Sequence, residues 1–91
     1  MICKIDRHVV GEDLVVLRVS GRVTGEAVSM LRVLLEHEDG ALTIDLKDVQ
    51  LVDGEAVKLL AILESNGTRI KDCPRYVREW ITREREGSDS V

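Results

Sequence analysis

Two stretches of the chain share one design: a short apolar run, a polar closure, and then apolar residues at helical spacing. The first run is Leu14-Val15-Val16-Leu17-Arg18-Val19, closed by Ser20-Gly21-Arg22-Val23 and followed by a helical pattern that begins near Thr24. The second is Ala41-Leu42-Thr43-Ile44-Asp45-Leu46, followed by the polar segment Lys47-Asp48-Val49-Gln50 and by LVDGEAVKLLAILESNG, Leu51 to Gly67. Strands that alternate with helices predict a mostly parallel sheet with right-handed crossovers. A chain of 91 residues has room for one core of this kind and not for a second.

The rest of the chain completes the pattern. Ile2 to Val10 and the run from Leu14 flank the turn Gly11-Glu12-Asp13, which predicts a β-hairpin. Because Leu14 to Leu17 is continuously apolar, the second strand is expected to lie inside the sheet, covered on both faces. Thr24 is the expected cap of a first helix running to about Glu38, with Ala27, Leu31, Leu34 and Leu35 on its buried stripe, Val28 and Met30 at the borders, and Gly40 as its stop. Asn66-Gly67 should end the second helix. A fourth strand is expected around Ile70, within Thr68 to Cys73, and Pro74 suits the first position of a last helix that buries Val77, Trp80 and Ile81. Arg75, Glu79 and Arg83 form an i,i+4 ladder on its solvated face.

The predicted fold class is therefore α/β: a small, mixed, mostly parallel four-stranded sheet with about three helices in the order β-β-α-β-α-β-α. Residues 1–86 should form one domain, and Gly87 to Val91 a frayed tail.

Composition removes several classes of function. A net charge of -4 and only two aromatics, Trp80 and Tyr76, leave neither a basic face for phosphates nor a platform for stacked bases, so nucleic acid is not an expected partner. No run approaches the roughly 20 apolar residues of a membrane span. Met1-Ile2-Cys3-Lys4 has no apolar signal segment after it, which predicts a cytoplasmic protein. Cys3, Cys73, His8 and His37 have no metal-ligand spacing.

For catalysis the best pair is Asp45, at the end of the third predicted strand, and Asp53, at the start of the second predicted helix. Both would lie near the carboxyl edge of the sheet, where α/β proteins place ligands. Their plainer roles are a turn acid and an N-cap. Cys73 before Pro74 is the one redox candidate, and Asp72 opposes any lowering of its pKa by the helix that follows. Gly54 lies between Asp53 and Glu55, whose charges would repel a phosphate, so no nucleotide cofactor is expected. In the second helix Ala56, Leu59, Leu60 and Leu63 fit a core face, but Val57, Ala61 and Ile62 extend apolar character toward Lys58. A neighbouring element covers this excess, or it receives a partner or a second copy of the chain.

Three segments resemble the STAS domains of anti-sigma-factor antagonists and sulphate transporters: LVVLRVSGRVTGEAVSMLRVLL (Leu14 to Leu35), LTIDLKDVQLVDGEAVKLL (Leu42 to Leu60) and GTRIKDCPRYVREWI (Gly67 to Ile81). The resemblance spans about Val9 to Ile81. In that family a hydrophobe-Asp pair is commonly followed by Ser-Ser-Gly or Ser-Thr-Gly, and a partner kinase phosphorylates the first hydroxyl. Asp53 matches the family's aspartate, whereas Gly54 takes the phosphorylatable position, Glu55 the second hydroxyl and Ala56 the glycine.

The resemblance implies a non-catalytic bacterial module of signal transduction and transcription regulation, without cofactor or metal and without the phosphorylation switch. Its implied partner is a kinase-fold anti-sigma factor or a larger signalling assembly, met by the loop from Val49 and by Asp53, Gly54, Glu55, Val57, Lys58 and Ile62. Self-association is also open. Glu55 either imitates a phosphorylated state or is an ordinary first-turn acid. The alternative implied by related proteins without the serine is an accessory subunit that binds the ATPase of a lipid-transport ABC complex.

Overall fold

β1 (Cys3–Val10) and β2 (Leu14–Val23) pair antiparallel across the three-residue turn Gly11 to Asp13, with Cys3 opposite Gly21 and Val10 opposite Leu14. Gly11 takes φ 75°, a conformation glycine adopts without steric penalty. The remaining elements are α1 (Glu26–Glu36), β3 (Ala41–Val52), α2 (Gly54–Ser65), β4 (Arg69–Lys71) and α3 (Arg75–Asp89). The strands lie in sequence order β1-β2-β3-β4, and β2, β3 and β4 are parallel. This computed structural model describes residues 3–38 and 41–89; the expected helix stop at Gly40, Ile2 of the first strand and the last two residues of the tail fall outside that range. α3 continues past Gly87, where the tail was expected to begin, to Asp89.

Strand register assigns the two faces of the sheet. Leu17 lies opposite Ile44, and Ile44 opposite Ile70, in a row that belongs to the hydrophobic core. Val15, Val19, Leu46 and the half-buried Ile5 join it, as do Leu31 of α1, Val57 and Leu60 of α2, and Val77 and Ile81 of α3. The next row reads Asp6, Arg18, Asp45, Lys71 across the four strands, with charge of alternating sign. Arg18 Nε lies 3.7 Å from Asp45 Oδ2. None of these charged residues belongs to the core cluster. β2 is thus interior in strand order but packed on one face, and Leu14 and Val16 are only half-buried, contrary to the expectation of cover on both. Continuous apolarity over four residues does not separate these cases, because a half-buried face also accepts leucine and valine.

Two boundaries differ from expectation. Lys47 to Gln50 is not a loop: β3 continues through it to Val52, because register shifts after Arg18 and Gly21 keep β2 and β3 paired as far as Val23 and Val52. Thr24 is not the cap of α1 either. Gly25 holds that position at φ 48° and ψ -111° without a side-chain cap, and the Thr24 carbonyl accepts from the Ala27 N–H at 2.9 Å. On α1, Ala27, Val28 and Leu31 are buried, whereas Leu34 lies outside the core. Asn66 is the C-cap of α2, and Gly67 follows at φ 99°.

Candidate functional site

The start of α2 is organised by one carboxylate. Asp53, extended at φ -106° and ψ -178°, is the N-cap, and its Oδ1 accepts from the Ala56 N–H at 2.9 Å. Its Oδ2 accepts from the Gly25 N–H at 3.1 Å, and its own N–H donates to the Val23 carbonyl at 3.3 Å. The backbone donors of Ala56 first, and of Gly25 second, hold the Asp53 pKa below the ordinary carboxylate range. Asp53 is therefore an ionised bridge between the starts of both helices.

Gly54 follows with an ordinary negative φ, and a Cβ built on it would meet no atom within 4 Å. Nothing in the backbone requires glycine at this position. Beyond it, Glu55, Lys58 and Ile62 are all exposed, and their i, i+3, i+7 spacing places them on one stripe of the helix. Ile62 is 57% exposed. At its far end the stripe opens into a groove of about 490 Å³ between α2 and α3, lined by Lys58, Ala61, Ile62, Ser65, Asn66, Glu84 and Arg85.

The residues expected at a partner surface are thus divided. Asp53, Gly54, Glu55, Lys58 and Ile62 lie along one side of α2, but Val57 does not reach the surface. Its exposure is 0%, and it sits in the core with Ala61. α3 packs along α2, and of the three residues Val57 and Ala61 are buried while Ile62 alone lies outside.

α3 is fastened there by Glu64. It accepts from Arg78 Nη1 and Nη2 at 2.8 and 2.7 Å and from Arg85 Nη1 at 2.9 Å. These donors, Arg78 first, lower the Glu64 pKa. Sequence reasoning missed the α3 side of the groove because ion pairs 14 and 21 residues apart leave no local signal.

The carboxylate pair considered for catalysis is not assembled. Asp45 lies within β3 rather than at its end, on the charged face, where its Oδ1 accepts from the Lys47 N–H at 2.9 Å. Eight positions of extended chain separate it from Asp53, roughly 20 Å or more. Burial pushes the Cys73 thiol up from its ordinary value, against an activated thiolate. Among the described residues no group of three or more His, Cys, Asp or Glu side chains is placed to hold a metal, and no helix is long and apolar enough to cross a membrane.

No protein-family model matches the sequence, and no curated protein matches it. Solved structures do match the fold. An anti-sigma-factor antagonist STAS domain from Rhodobacter sphaeroides superposes with a TM-score of 0.61 at 15% identity, over 78% of this chain and 87% of that one. The fold is STAS-like. The anti-sigma factor antagonist SpoIIAA in its unphosphorylated form superposes on the same STAS-like frame with a TM-score of 0.60 at 16% identity, covering 91% of this chain and 84% of its own. The element order and the mixed four-stranded sheet predicted from sequence agree with this frame.

Proposed function

We propose that this chain is a non-catalytic STAS-like protein-interaction module, a cytoplasmic regulator of the anti-sigma-factor-antagonist type that lacks the phosphorylation switch. One observation carries the reading. The exposed stripe Glu55, Lys58, Ile62 starts at the Asp53 cap, and its first helical residue, Gly54, has no oxygen to phosphorylate. A partner docks along this stripe, with Ile62 as the apolar contact and Glu55 and Lys58 as flanking charges. The partner is a kinase-fold anti-sigma factor or a larger signalling assembly. Docking is then governed by the amounts of the two proteins and not by covalent modification at position 54.

The test is affinity capture from the protein's own cell lysate with the tagged wild type and with Ile62→Asp. Recovery of a kinase-fold anti-sigma factor by the wild type, lost with Ile62→Asp, supports the proposal. Recovery of a transporter ATPase would assign the chain instead as an accessory subunit of a lipid-transport complex. Equal recovery by both proteins would remove the α2 stripe from the interface.

A further inference from the structure

A second exposed apolar surface lies on α1, away from the core and sharing no residue with the α2 stripe. Met30 and Val33 are 53% and 54% exposed, and with Leu34, Ser29 and Glu26 they line a shallow depression of about 520 Å³. The buried residues Ala27, Val28 and Leu31 define the opposite side of the helix. Along the outermost line the residues are Glu26, Met30, Val33 and His37, at spacings of four, three and four. That is the seam spacing by which one helix packs lengthwise on another.

This line is complementary to itself. If a second copy lies antiparallel, with the two-fold axis between Leu31 and Arg32, Met30 meets the other copy's Val33 and Glu26 meets the other copy's His37. Both contacts occur twice by symmetry. His37, the C-cap of α1, holds Nδ1 at 2.9 Å from the Val33 carbonyl. A carbonyl can only accept, so Nδ1 donates to it, and Nε2 donates to the opposing carboxylate only when the ring is the imidazolium, with a hydrogen on both nitrogens. Each acid near a helix N-terminus then faces an imidazole near a C-terminus, and the two helix dipoles run in opposition. In a parallel pairing Glu26 would meet Glu26, and the complementarity would be lost.

We propose that α1 pairs antiparallel with α1 of a second copy through Glu26, Met30, Val33 and His37, forming a reversible homodimer. The contact is short: 11 helical residues extend about 17 Å. It falls below the roughly 800 Å² per partner of a standard stable interface, so the expected dissociation constant is micromolar or weaker. The α2 stripe is not part of this contact, and a dimer presents it twice.

Sedimentation equilibrium from micromolar to millimolar protein tests the proposal. The wild type should show a concentration-dependent monomer-dimer equilibrium. Val33→Asp, with unchanged circular dichroism, should weaken it at least tenfold. Orientation is read from disulfide formation: an equimolar mixture of Met30→Cys and Val33→Cys should give a mixed cross-linked dimer faster than either variant alone. A wild type that stays monomeric throughout, a dimer indifferent to Val33→Asp, or fastest cross-linking of Met30→Cys with itself would each overturn the proposal.

Discussion

The Gly25 N–H donates to Asp53 Oδ2 at 3.1 Å, so one carboxylate closes the start of α2 and holds the turn that starts α1. The two residues are 28 positions apart. Parallel pairing of β2 with β3 brings them together, because Val23 and Val52 are register partners at the end of the ladder.

Replacing Asp53 removes both contacts. Loss of an N-cap costs about 0.5–2 kcal/mol, and loss of a further hydrogen bond adds about 1 kcal/mol. Asp53→Ala should therefore lower Tm by roughly 10 °C, taking about 4–8 °C per kcal/mol for a domain of this size. Calorimetry checks this. A change within 2 °C would mean that solvent replaces the carboxylate without loss.

The same bridge carries a pH dependence. Its folded pKa is depressed, so its contribution is complete above the unfolded Asp value of about 3.9 and is lost as pH falls through the folded value. Asp53→Asn keeps a capping oxygen but cannot ionise. Urea unfolding between pH 7 and pH 2 should show wild type and Asp53→Asn farthest apart at neutral pH and converging in acid. Glu64 and Glu38, whose pKa values are also lowered by their arginine partners, will add an acid sensitivity common to both proteins.

Two glycines should respond oppositely to alanine. At Gly54 the φ is ordinary and the Cβ meets nothing, so Gly54→Ala should stabilise by about 0.4–1 kcal/mol, and Gly54→Ser should fold equally well. At Gly25, φ 48° disfavours any side chain, and Gly25→Ala should cost about 1–2 kcal/mol although the space around it is open. Denaturant midpoints of the variants decide the matter.

Val57 and Ile62, five residues apart on α2, separate core from surface. Val57→Asp places a carboxylate where exposure is 0% and should abolish cooperative folding, since burying an unpaired charge costs several kcal/mol. Ile62→Asp should change stability by no more than about 0.5 kcal/mol. Thermal unfolding of the two variants reads the difference directly.

Glu64 joins α2 to α3 through Arg78 and Arg85 at a partly exposed site. Exposed pairs contribute about 0–1 kcal/mol each, so Glu64→Gln should cost about 1 kcal/mol, and the cost should shrink in 1 M salt. Matched denaturation at low and high salt would show it.

Element type and order were legible in the sequence because they follow from local properties. Apolar runs at Leu14 and Leu42, helical spacing from Ala56, the Asp53 cap and the Asn66-Gly67 stop each act over a few residues, and each appears in the structure. The third strand was read six residues short because Lys47 to Gln50 is polar enough for a loop. Its strand conformation comes from hydrogen bonds to β2. Thr24 looked like a cap for a similar reason, although the φ of 48° at Gly25 moves the start of α1 one residue on.

Which residues are apolar, how they repeat, and the lack of a hydroxyl at position 54 follow from residue types alone. Those properties favour a β-β-α-β-α-β-α order and exclude phosphorylation at that position. Packing between distant segments settles that Val57 is buried while Ile62 is not, that Asp45 stands apart from Asp53, that Glu64 holds α3, and that Met30 and Val33 on α1 are left uncovered. The reason is physical. Periodicity states that a residue has an apolar neighbour available on one face, but which element fills that face depends on packing between segments far apart in the chain.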